Sequence, residues 1–464
     1  MADKLSDITI TDDATMRRAV AAAAIGNVTE WYDFGVYAYI APVALVHVFF
    51  SGMPEGIGTI VAAGVFAVSF LIRPLGGFIF GPLGDRIGRT KVLSITVIMM
   101  ALGTTVIGLL PSYSSVGIAA PLLVVLVRLI QGLSTGGEYG GAMTFIAEYT
   151  ADRRRGFFGS WLEFGTLTGY VMGGTVVFIL HTTLSNDQLI GWGWRLPFLL
   201  ALPLGIAGLY LRMRLEETPA FVKLLEESEK KEGTSTKDAL RSIFVDHWRT
   251  MLLAGGIVVA WNITNYMLTS YVPTYLTSTL TEHGIKGLSD RVNELSQIGV
   301  LLVLIVVITF LGRLGDRWGR KPMLMVGSIG LVVFGLPSVL LMRTGSVVLT
   351  FLGLLIMGLL LVCFSAIAPS TLPAMFPTHI RYSGLSITFN IFVSAFAGTT
   401  STVVGALVAT TGDLNWPGYY LVAAGVIGAV CTYLITETAR KPLEGSHPAV
   451  SSEQEARELI EAGR

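Results

Sequence analysis

The stretch Gly81-Pro-Leu-Gly-Asp-Arg-Ile-Gly-Arg89 recurs later in the chain as Gly312-Arg-Leu-Gly-Asp-Arg-Trp-Gly-Arg320. Both copies follow a long apolar segment and place an Asp-Arg pair between glycines, which allow tight turns and the close approach of helices. The repeat predicts that the second half of the chain copies the first half with the same topology. Parallel repeats of this kind place a binding site between the two halves, at mid-depth in a membrane.

The composition indicates a chain that lies in a lipid bilayer. Hydrophobic residues make up 52% of the 464 residues and charged residues only 14%, whereas a soluble domain carries about 25% charged residues. A transmembrane helix needs about 20 mainly apolar residues, and such runs recur along the chain. Since backbone groups in lipid must bond internally, we predict an all-α membrane protein with about 12 transmembrane helices. The predicted spans are 19–46, 58–82, 92–111, 117–147, 157–181, 192–212, 250–279, 292–312, 323–342, 347–373, 384–410 and 417–436.

The longest charged segment, Glu216 to Asp246, separates six predicted spans from six. Lys and Arg concentrate in the loops near 86–91, 153–155, 212–249 and 313–321, so these loops and both termini are expected in the cytoplasm. We therefore expect a multi-pass protein of the cell (inner) membrane, without a cleaved signal peptide. The predicted parts are a cytoplasmic N-terminus (1–18), an N-terminal six-helix half (19–212), a cytoplasmic linker (213–249), a C-terminal six-helix half (250–436) and a short cytoplasmic tail (437–464).

Several functional classes are excluded by the residues themselves. The formal net charge is zero, so nothing indicates a nucleic-acid partner. The two cysteines, Cys363 and Cys431, are far apart in apolar segments, which excludes a disulfide framework and a zinc site. We find no catalytic triad, metal cluster or phosphate-binding glycine loop. The chain is therefore expected to be no enzyme, to hold no cofactor or metal, and to use an ion gradient or the gradient of its own solute.

Charged side chains inside a membrane are rare and usually have a partner or a task. The predicted spans of the N-terminal half contain nearly all of them, so we expect proton chemistry in that half. The candidate proton-coupling residues are Glu30, Asp33, Arg128, Glu138 and Glu163.

Two of these carboxylates are the preferred proton carriers. Burial without a permanent partner makes a carboxylate easier to protonate, so Glu138 and Asp33 are preferred over any carboxylate that is locked to an arginine. Arg73, in the second span, is expected to pair with Asp33 or Glu30. In the alternative interpretation, all of these charges form buried ion pairs that only hold helices together.

Aromatic residues in spans one and seven, which are equivalent in the two halves, suggest a substrate site. Aromatic faces attract quaternary ammonium groups, and an arginine can receive a carboxylate through charge-assisted hydrogen bonds. The alternative is that the aromatics anchor the helices at the membrane interface. The candidate substrate-binding residues are Trp31, Tyr37, Arg73, Gln131, Trp261, Asn262, Asn265 and Tyr266.

The repeated stretch also suggests a gate. Each aspartate of the repeat lies near a helix end, where it can bond the N-terminus of a neighbouring helix or an arginine and so lock the cytoplasmic side closed. A static loop clamp is the alternative. Glycines at 165, 169 and 173 recur every fourth residue in span five, a pattern typical of close helix packing. The candidate gate residues are Asp85, Arg86, Arg89, Asp316, Arg317 and Arg320.

The repeated stretch resembles the loop motif of the major facilitator superfamily, over both halves of the chain. Other stretches resemble narrower groups: the superfamily's arginine motif, associated with proton coupling; the metabolite:proton symporter family; and the proline/betaine transporters within it. The arginine motif is Leu126-Val-Arg-Leu-Ile-Gln-Gly132. The stretches that resemble the symporter family are Gly26-Asn-Val-Thr-Glu-Trp-Tyr-Asp-Phe34 and Gly136-Gly-Glu-Tyr-Gly140. Those that resemble the proline/betaine transporters are Glu216-Glu-Thr-Pro-Ala-Phe221 and Ser370-Thr-Leu-Pro-Ala-Met-Phe376.

The resemblance implies a symporter that imports a zwitterionic compatible solute, such as proline, glycine betaine or ectoine, with protons, by alternating access. Its expected partners are the solute, protons and the lipid bilayer, and it is expected to function as a monomer. Two alternatives stay open. One is a proton symporter of organic acids such as 2-oxoglutarate or shikimate, and the other is a membrane sensor that binds a solute without transporting it.

Overall fold

The computed structural model describes residues 8–52, 57–214, 216–228 and 236–461. Six helices, α1 to α6, form the first half, and six more, α7 to α12, form the second half. The first six are Asp13–Ile40 with a continuation to Phe49, Ile57–Leu71 with Arg73–Ile87, Arg89–Leu109, Ala119–Tyr149, Arg155–Thr183 and Arg195–Met213. The second six are Trp248–Glu282, Asp290–Trp318, Arg320–Met342, Val347–Ser365 with Ala368–Thr371, Arg381–Phe392 with a continuation to Thr411, and Trp416–Leu434.

Eleven helices of the described chain are long and apolar enough to cross a membrane. The remaining long helix, α1, carries Arg17, Arg18, Glu30 and Asp33, which lower its hydropathy. It nevertheless packs along the whole of α5 inside the bundle. With α1 included, the prediction of an all-α membrane protein with 12 transmembrane helices is confirmed.

The glycines of α5 explain how α1 is held. A Cβ atom at Gly165 would lie 2.5 Å from the carbonyl oxygen of Ala24, and one at Gly169 would lie 2.7 Å from that of Val28. Contacts under 3 Å with backbone atoms leave no room for a side chain. The close packing predicted from the four-residue glycine spacing is therefore confirmed.

The two halves meet along two seams. Helix α5 packs against α8 on one side, and α2 and α4 pack against α11 on the other. The largest cluster of buried apolar residues extends across both halves, so the best-shielded region of the molecule lies between them. The basic loops lie at one end of the bundle, here called the basic side.

The remaining elements are small and lie mainly in loops and at the basic side. The linker contains the helices Pro219–Ser228 and Thr236–Arg241, and a final helix, α13, covers Glu453–Glu461. The strands β1 (Thr9–Ile10) and β2 (Ala449–Val450) pair in parallel, so the two ends of the described chain meet. Shorter helical turns are Tyr113–Val116, Asp152–Arg154, Asn186–Gln188, Ser242–Asp246, Pro373–Met375 and Thr378–Ile380.

Candidate transport site

An aromatic cluster joins the two halves at the centre of the bundle. The ring centroid of Tyr139 on α4 lies 6.0 Å from that of Trp261 on α7 and 4.8 Å from that of Phe389 on α11. The Trp31 ring on α1 lies 6.3 Å from Tyr139. Further rings extend the contact chain through Phe34 and Phe70 to Tyr266. The aromatic cluster consists of Trp31, Phe34, Phe70, Tyr139, Tyr170, Trp261, Tyr266 and Phe389.

The structure brings together three of the four aromatic residues expected in a substrate site. Trp31, Trp261 and Tyr266 belong to the cluster. Tyr37 does not, because its ring lies 3.9 Å from the guanidinium carbon of Arg128 in a separate network. The sequence analysis missed Tyr139 because it considered aromatics only in spans one and seven, although Tyr139 directly follows Glu138 in a stretch singled out for its resemblance.

Arg73 adjoins one end of the aromatic cluster. Its side chain is 2% exposed, and its guanidinium carbon lies 4.3 Å from the centroid of the Phe70 ring and 4.9 Å from that of Phe34. The Nε and Nη2 atoms have no hydrogen-bond partner in the protein. No carboxylate of the described residues lies within 4 Å of the guanidinium. The expected ion pair with Asp33 or Glu30 is therefore wrong at contact distance, although the Arg73 charge acts on Glu30 from farther away. The open donors of this buried cation are on Nε and Nη2.

Asp33 pairs with Arg128 instead. The Asp33 Oδ2 atom lies 2.5 Å from Arg128 Nη1, and both side chains are fully buried. The Gln131 amide donates to the other oxygen of Asp33 at 3.1 Å and to the Thr104 hydroxyl at 2.9 Å. Two predicted site residues, Arg128 and Gln131, thus bond within the first half.

Glu138 also has an arginine partner. The Arg212 Nη2 atom lies 2.9 Å from Glu138 Oε1, and Arg212 also donates to the carbonyl oxygen of Leu93 at 2.5 Å. Arg212 lies near the end of α6, but its long side chain reaches inward, past Gly26, where a Cβ atom would lie only 1.9 Å from Nη2. Glu138 and Asp33 are therefore both locked to an arginine, which corrects the reason for preferring them as proton carriers.

Glu30 and Glu163 are the candidate carboxylates without an arginine partner. Glu30 is fully buried beside the Thr135 hydroxyl. The charge of the Glu138 carboxylate acts on it most strongly, followed by the charges of Arg73 and Arg212 from beyond 4 Å. Glu163 accepts hydrogen bonds from the hydroxyls of Tyr139 and Thr166. In the described part of the chain, neither carboxylate has a Lys or Arg nitrogen within 4 Å.

Helix α7 carries the remaining predicted substrate residues. Asn262 and Asn265 are both buried beside Trp261, and the Asn262 amide donates to the carbonyl oxygen of Val258 at 3.1 Å. The Trp261 indole N–H donates to the Ser365 hydroxyl of α10 at 2.8 Å. Trp261 is thus fixed by a bond within the second half while its ring contacts Tyr139 of the first half.

The two aspartates of the repeat each bond a helix N-terminus in the opposite half. Asp85, at the end of α2, accepts hydrogen bonds from the backbone N–H (2.9 Å) and hydroxyl of Ser383 in the first turn of α11. Asp316, at the end of α8, accepts from the backbone N–H groups of Gly156 (2.7 Å) and Phe157 (2.8 Å) at the start of α5. The sequence-based expectation of such contacts is confirmed, and they close the seams on the basic side.

The arginines of the repeat divide into two kinds. Arg89 and Arg320 are fully buried, and they lie 3.3 Å and 3.9 Å from the aspartate of their own motif. Arg89 also donates to the carbonyl oxygen of Thr378 in the opposite half at 3.1 Å. Arg86 and Arg317 are exposed. Arg89 and Arg320 are therefore the arginines of the repeat that are buried beside its aspartates.

Three glutamates that bond next to the predicted gate residues were missed by the sequence analysis. Glu217 accepts from the backbone N–H of Arg89 at 3.0 Å, and Glu437 accepts from that of Arg320 at 3.1 Å. Each follows the last helix of its own half, so the internal repeat includes these two caps. Glu148 lies 2.8 Å from Arg381 of the second half. Its position five residues before the arginines at 153–155 gave no signal of that partner.

Comparison with known proteins places the whole arrangement in one family. Residues 19–449 match the family model described as "Sugar (and other) transporter". This range includes both copies of the repeat and the helices of both halves, apart from residues 13–18 at the start of α1.

Several curated proteins are similar over nearly the full chain. A glycine betaine/proline/ectoine/pipecolic acid transporter of Dickeya dadantii is 46% identical over 461 residues, which cover 98% of this chain and 90% of that protein. A proline/betaine transporter of Salmonella typhimurium is 45% identical over 463 residues, with the same coverage. A putative proline/betaine transporter of Staphylococcus aureus is 41% identical and covers 97% of this chain and 94% of its own length.

Solved structures support the architecture. The proton:xylose symporter XylE of the major facilitator superfamily, bound to 6-bromo-6-deoxy-D-glucose, superposes with a TM-score of 0.75 at 18% identity, over 94% of this chain and 98% of that one. A partially occluded inward-open form of the xylose transporter from Escherichia coli gives a TM-score of 0.67 at 17% identity, over 93% and 100% of the two chains. At these identities the likeness concerns the fold.

Proposed function

We propose that this chain, which belongs to the sugar (and other) transporter family, imports a zwitterionic compatible solute with protons by alternating access. The family and the named relatives are transporters and not enzymes. Proline, glycine betaine and ectoine-like molecules are the proposed substrates, in line with the names of the similar proteins. Each carries a carboxylate and a cationic nitrogen or amidinium group.

The observation that carries this proposal is the buried guanidinium of Arg73 at one end of the aromatic cluster, which has no carboxylate of the described residues within 4 Å. A substrate carboxylate can accept the open N–H donors of Arg73 through charge-assisted hydrogen bonds. The cationic end then reaches the rings of Tyr139, Trp261 and Phe389, away from the Arg73 charge. Cation–π contacts contribute about 0.5–2 kcal/mol each. Since the rings come from both halves, binding depends on how the halves are arranged.

The arrangement favours a zwitterion over a dianionic organic acid. Of the buried arginines near the centre, Arg128 is compensated by Asp33 and Arg212 by Glu138. Arg73 is left as the cation that can receive a substrate anion. A second carboxylate in the same site would have no cationic partner and would meet the negative faces of the aromatic rings.

Proton coupling is best assigned to a carboxylate that can gain a proton without leaving a buried arginine unpaired. Protonation of Asp33 or Glu138 would remove the partner of Arg128 or Arg212, and an uncompensated buried charge is strongly destabilising. Protonation of Glu163 leaves no such charge, because its nearest partners are hydroxyl groups. We therefore assign Glu163 as the main proton carrier and Glu30, which has no arginine within 4 Å, as the second.

We propose that the protein lies in the inner membrane of the cell. Its basic side faces the cytoplasm, because Lys and Arg favour cytoplasmic loops. Both termini then lie in the cytoplasm, and the contacts of Asp85 and Asp316 close the cytoplasmic gate in this conformation. One chain supplies both halves of the site, so we propose that the monomer is the functional unit.

A competition assay tests the substrate class. The purified chain in proteoliposomes takes up labelled proline in the presence of an excess of glycine betaine, ectoine or 2-oxoglutarate. We expect betaine and ectoine to reduce proline uptake and 2-oxoglutarate to leave it unchanged. Preferential uptake of 2-oxoglutarate would support the organic-acid alternative, and binding of proline without any uptake would support a sensor.

A further inference from the structure

A proline in α2 removes the usual donor of one backbone carbonyl. Helix α2 breaks at Ile72, and Pro74 is the second residue of its second segment. Because proline has no backbone N–H, it cannot bond the carbonyl oxygen of Phe70, four residues earlier. Inside a membrane, a carbonyl freed in this way needs a donor from a neighbouring helix or side chain. The sequence of α2 therefore creates an acceptor that must be satisfied from outside the helix.

The donor comes from the other half of the molecule. The hydroxyl of Ser394 on α11 donates to the Phe70 carbonyl oxygen at 2.5 Å, and Ser394 is 7% exposed. It lies in a π-helical stretch, Val393–Ala397, a rare local form that is frequent at functional sites. One turn later, a Cβ atom at Gly398 would lie 3.0 Å from the Cβ atom of Phe70. Helix α11 thus packs closely against α2 at the point where α2 is kinked.

The kinked turn of α2 carries two groups of the proposed solute site. The Phe70 ring centroid lies 4.3 Å from the guanidinium carbon of Arg73 and 5.1 Å from the ring centroid of Tyr266 on α7. Arg73 directly precedes Pro74 and begins the second segment of α2. The direction of the Arg73 side chain therefore depends on the angle between the two segments, and a hydrogen bond to the Phe70 carbonyl restrains the backbone at that angle.

We propose that Ser394 is a positioning residue, which fixes the kink of α2 through the Phe70 carbonyl and thereby keeps Arg73 directed at the solute. This inference rests on the proposed function, since it assumes that Arg73 receives the carboxylate of a transported solute. The bond exists only while α2 and α11 are in contact, so solute affinity follows the arrangement of the two halves. Ser394 itself needs no contact with the solute.

Uptake kinetics in proteoliposomes test the positioning role. Ser394→Ala removes the donor, so the KM for labelled proline should rise about tenfold, the effect of leaving one buried acceptor unsatisfied, while the maximal rate stays near the parental value. Ser394→Thr keeps a hydroxyl and should restore the parental KM. Ser386→Ala is the matched control, because Ser386 is a fully buried serine of the same helix whose hydroxyl has no hydrogen-bond partner among the described residues. It should behave as the parent.

A double-mutant cycle with Pro74 tests the hydrogen bond itself. Pro74→Ala introduces a backbone N–H that can donate to the Phe70 carbonyl, so Ser394→Ala should have a much smaller effect in this background than in the parent. Substitutions at sites that share one partner are expected to be non-additive in this way. The thermal stability of the purified chain in detergent, measured without solute, reports the coupling independently of transport. Equal losses of stability in the two backgrounds would overturn the role of Ser394 as the donor.

The outcomes separate this inference from the function on which it rests. If the stability cycle shows the coupling but Ser394→Ala has the parental KM, or loses only maximal rate, the positioning role is overturned and the proposed function stands. If the parent chain takes up no proline under an imposed proton gradient, the proposed function fails. The positioning of Arg73 for a solute then fails with it, even where the stability cycle shows that Ser394 holds the α2 kink.

Discussion

At the scale of single residues, Arg73 carries the most specific prediction. Arg73→Met keeps much of the side-chain volume but removes the charge and the open donors. Hydrogen bonds to charged groups contribute about 1.5–3 kcal/mol, so the Kd for glycine betaine should rise about tenfold to a hundredfold. Binding measured by tryptophan fluorescence or by uptake checks this.

The control for Arg73 is Arg214→Met. Arg214 also lies over an aromatic ring, 4.7 Å from the centroid of Tyr210, but it is exposed at the end of α6. We expect parental affinity in this variant. An unchanged Kd in Arg73→Met would remove the substrate site from this end of the aromatic cluster.

Glu163→Gln separates proton coupling from solute binding. A carboxamide keeps the shape of the side chain but cannot take up or release a proton in the cycle, so uphill accumulation should be lost while solute exchange continues. Accumulation ratios and counterflow in the same vesicles measure the two properties. A variant that concentrates proline as the parent does would exclude Glu163 as the coupling residue.

Glu138→Gln should behave differently, because Glu138 is the partner of Arg212. Removing one member of a buried ion pair leaves an uncompensated charge and costs about 3–5 kcal/mol. We expect a large loss of thermal stability in detergent, partly recovered when Arg212→Gln is added. A stable Glu138→Gln protein that loses only proton coupling would instead support the sequence-based prediction that Glu138 is a proton carrier.

At the scale of helices, the contact of α1 with α5 depends on glycine. Gly169→Ala places a Cβ atom 2.7 Å from the Val28 carbonyl oxygen and 2.8 Å from the Tyr32 nitrogen, and backbone atoms of a packed helix cannot easily move. Overpacking of this kind costs about 1–3 kcal/mol. Gly191→Ala, with no atom within 4 Å of the added Cβ, should leave thermal stability unchanged. Equal stability of the two variants would contradict the close packing of α1 and α5.

Features that depend on local spacing could be predicted from the sequence at this scale. The glycine spacing of α5 and the repeated Asp-Arg motif could be recognised because the residues that form each pattern also make the contact that the pattern predicts. The partners of Asp33 and Glu138 could not be predicted, because they depend on the rotation of each helix about its axis and on the reach of long side chains such as Arg212. Tyr139 and Phe389 of the aromatic cluster were missed for another reason, because only the aromatics of spans one and seven were considered.

At the scale of the whole molecule, we expect the proposed gate contacts to determine which conformation is favoured. Asp85→Asn and Asp316→Asn each weaken a contact with a helix N-terminus, of about 0.3–1 kcal/mol, or up to ~2 kcal/mol when partly buried. Both variants should shift the chain toward the form that is open on the basic side. Single-molecule distances across that side should lengthen in each, and unchanged distance distributions in both would exclude these aspartates as gate residues.

The direct test of the central claim is accumulation driven by an imposed proton gradient. Proteoliposomes containing the parent chain receive either an inward proton gradient or an inward sodium gradient at fixed pH, with labelled proline outside. The account predicts that proline becomes concentrated inside only with the proton gradient, accompanied by proton entry, and that Glu163→Gln abolishes this accumulation. Equal accumulation with the sodium gradient alone, without proton movement, would contradict it.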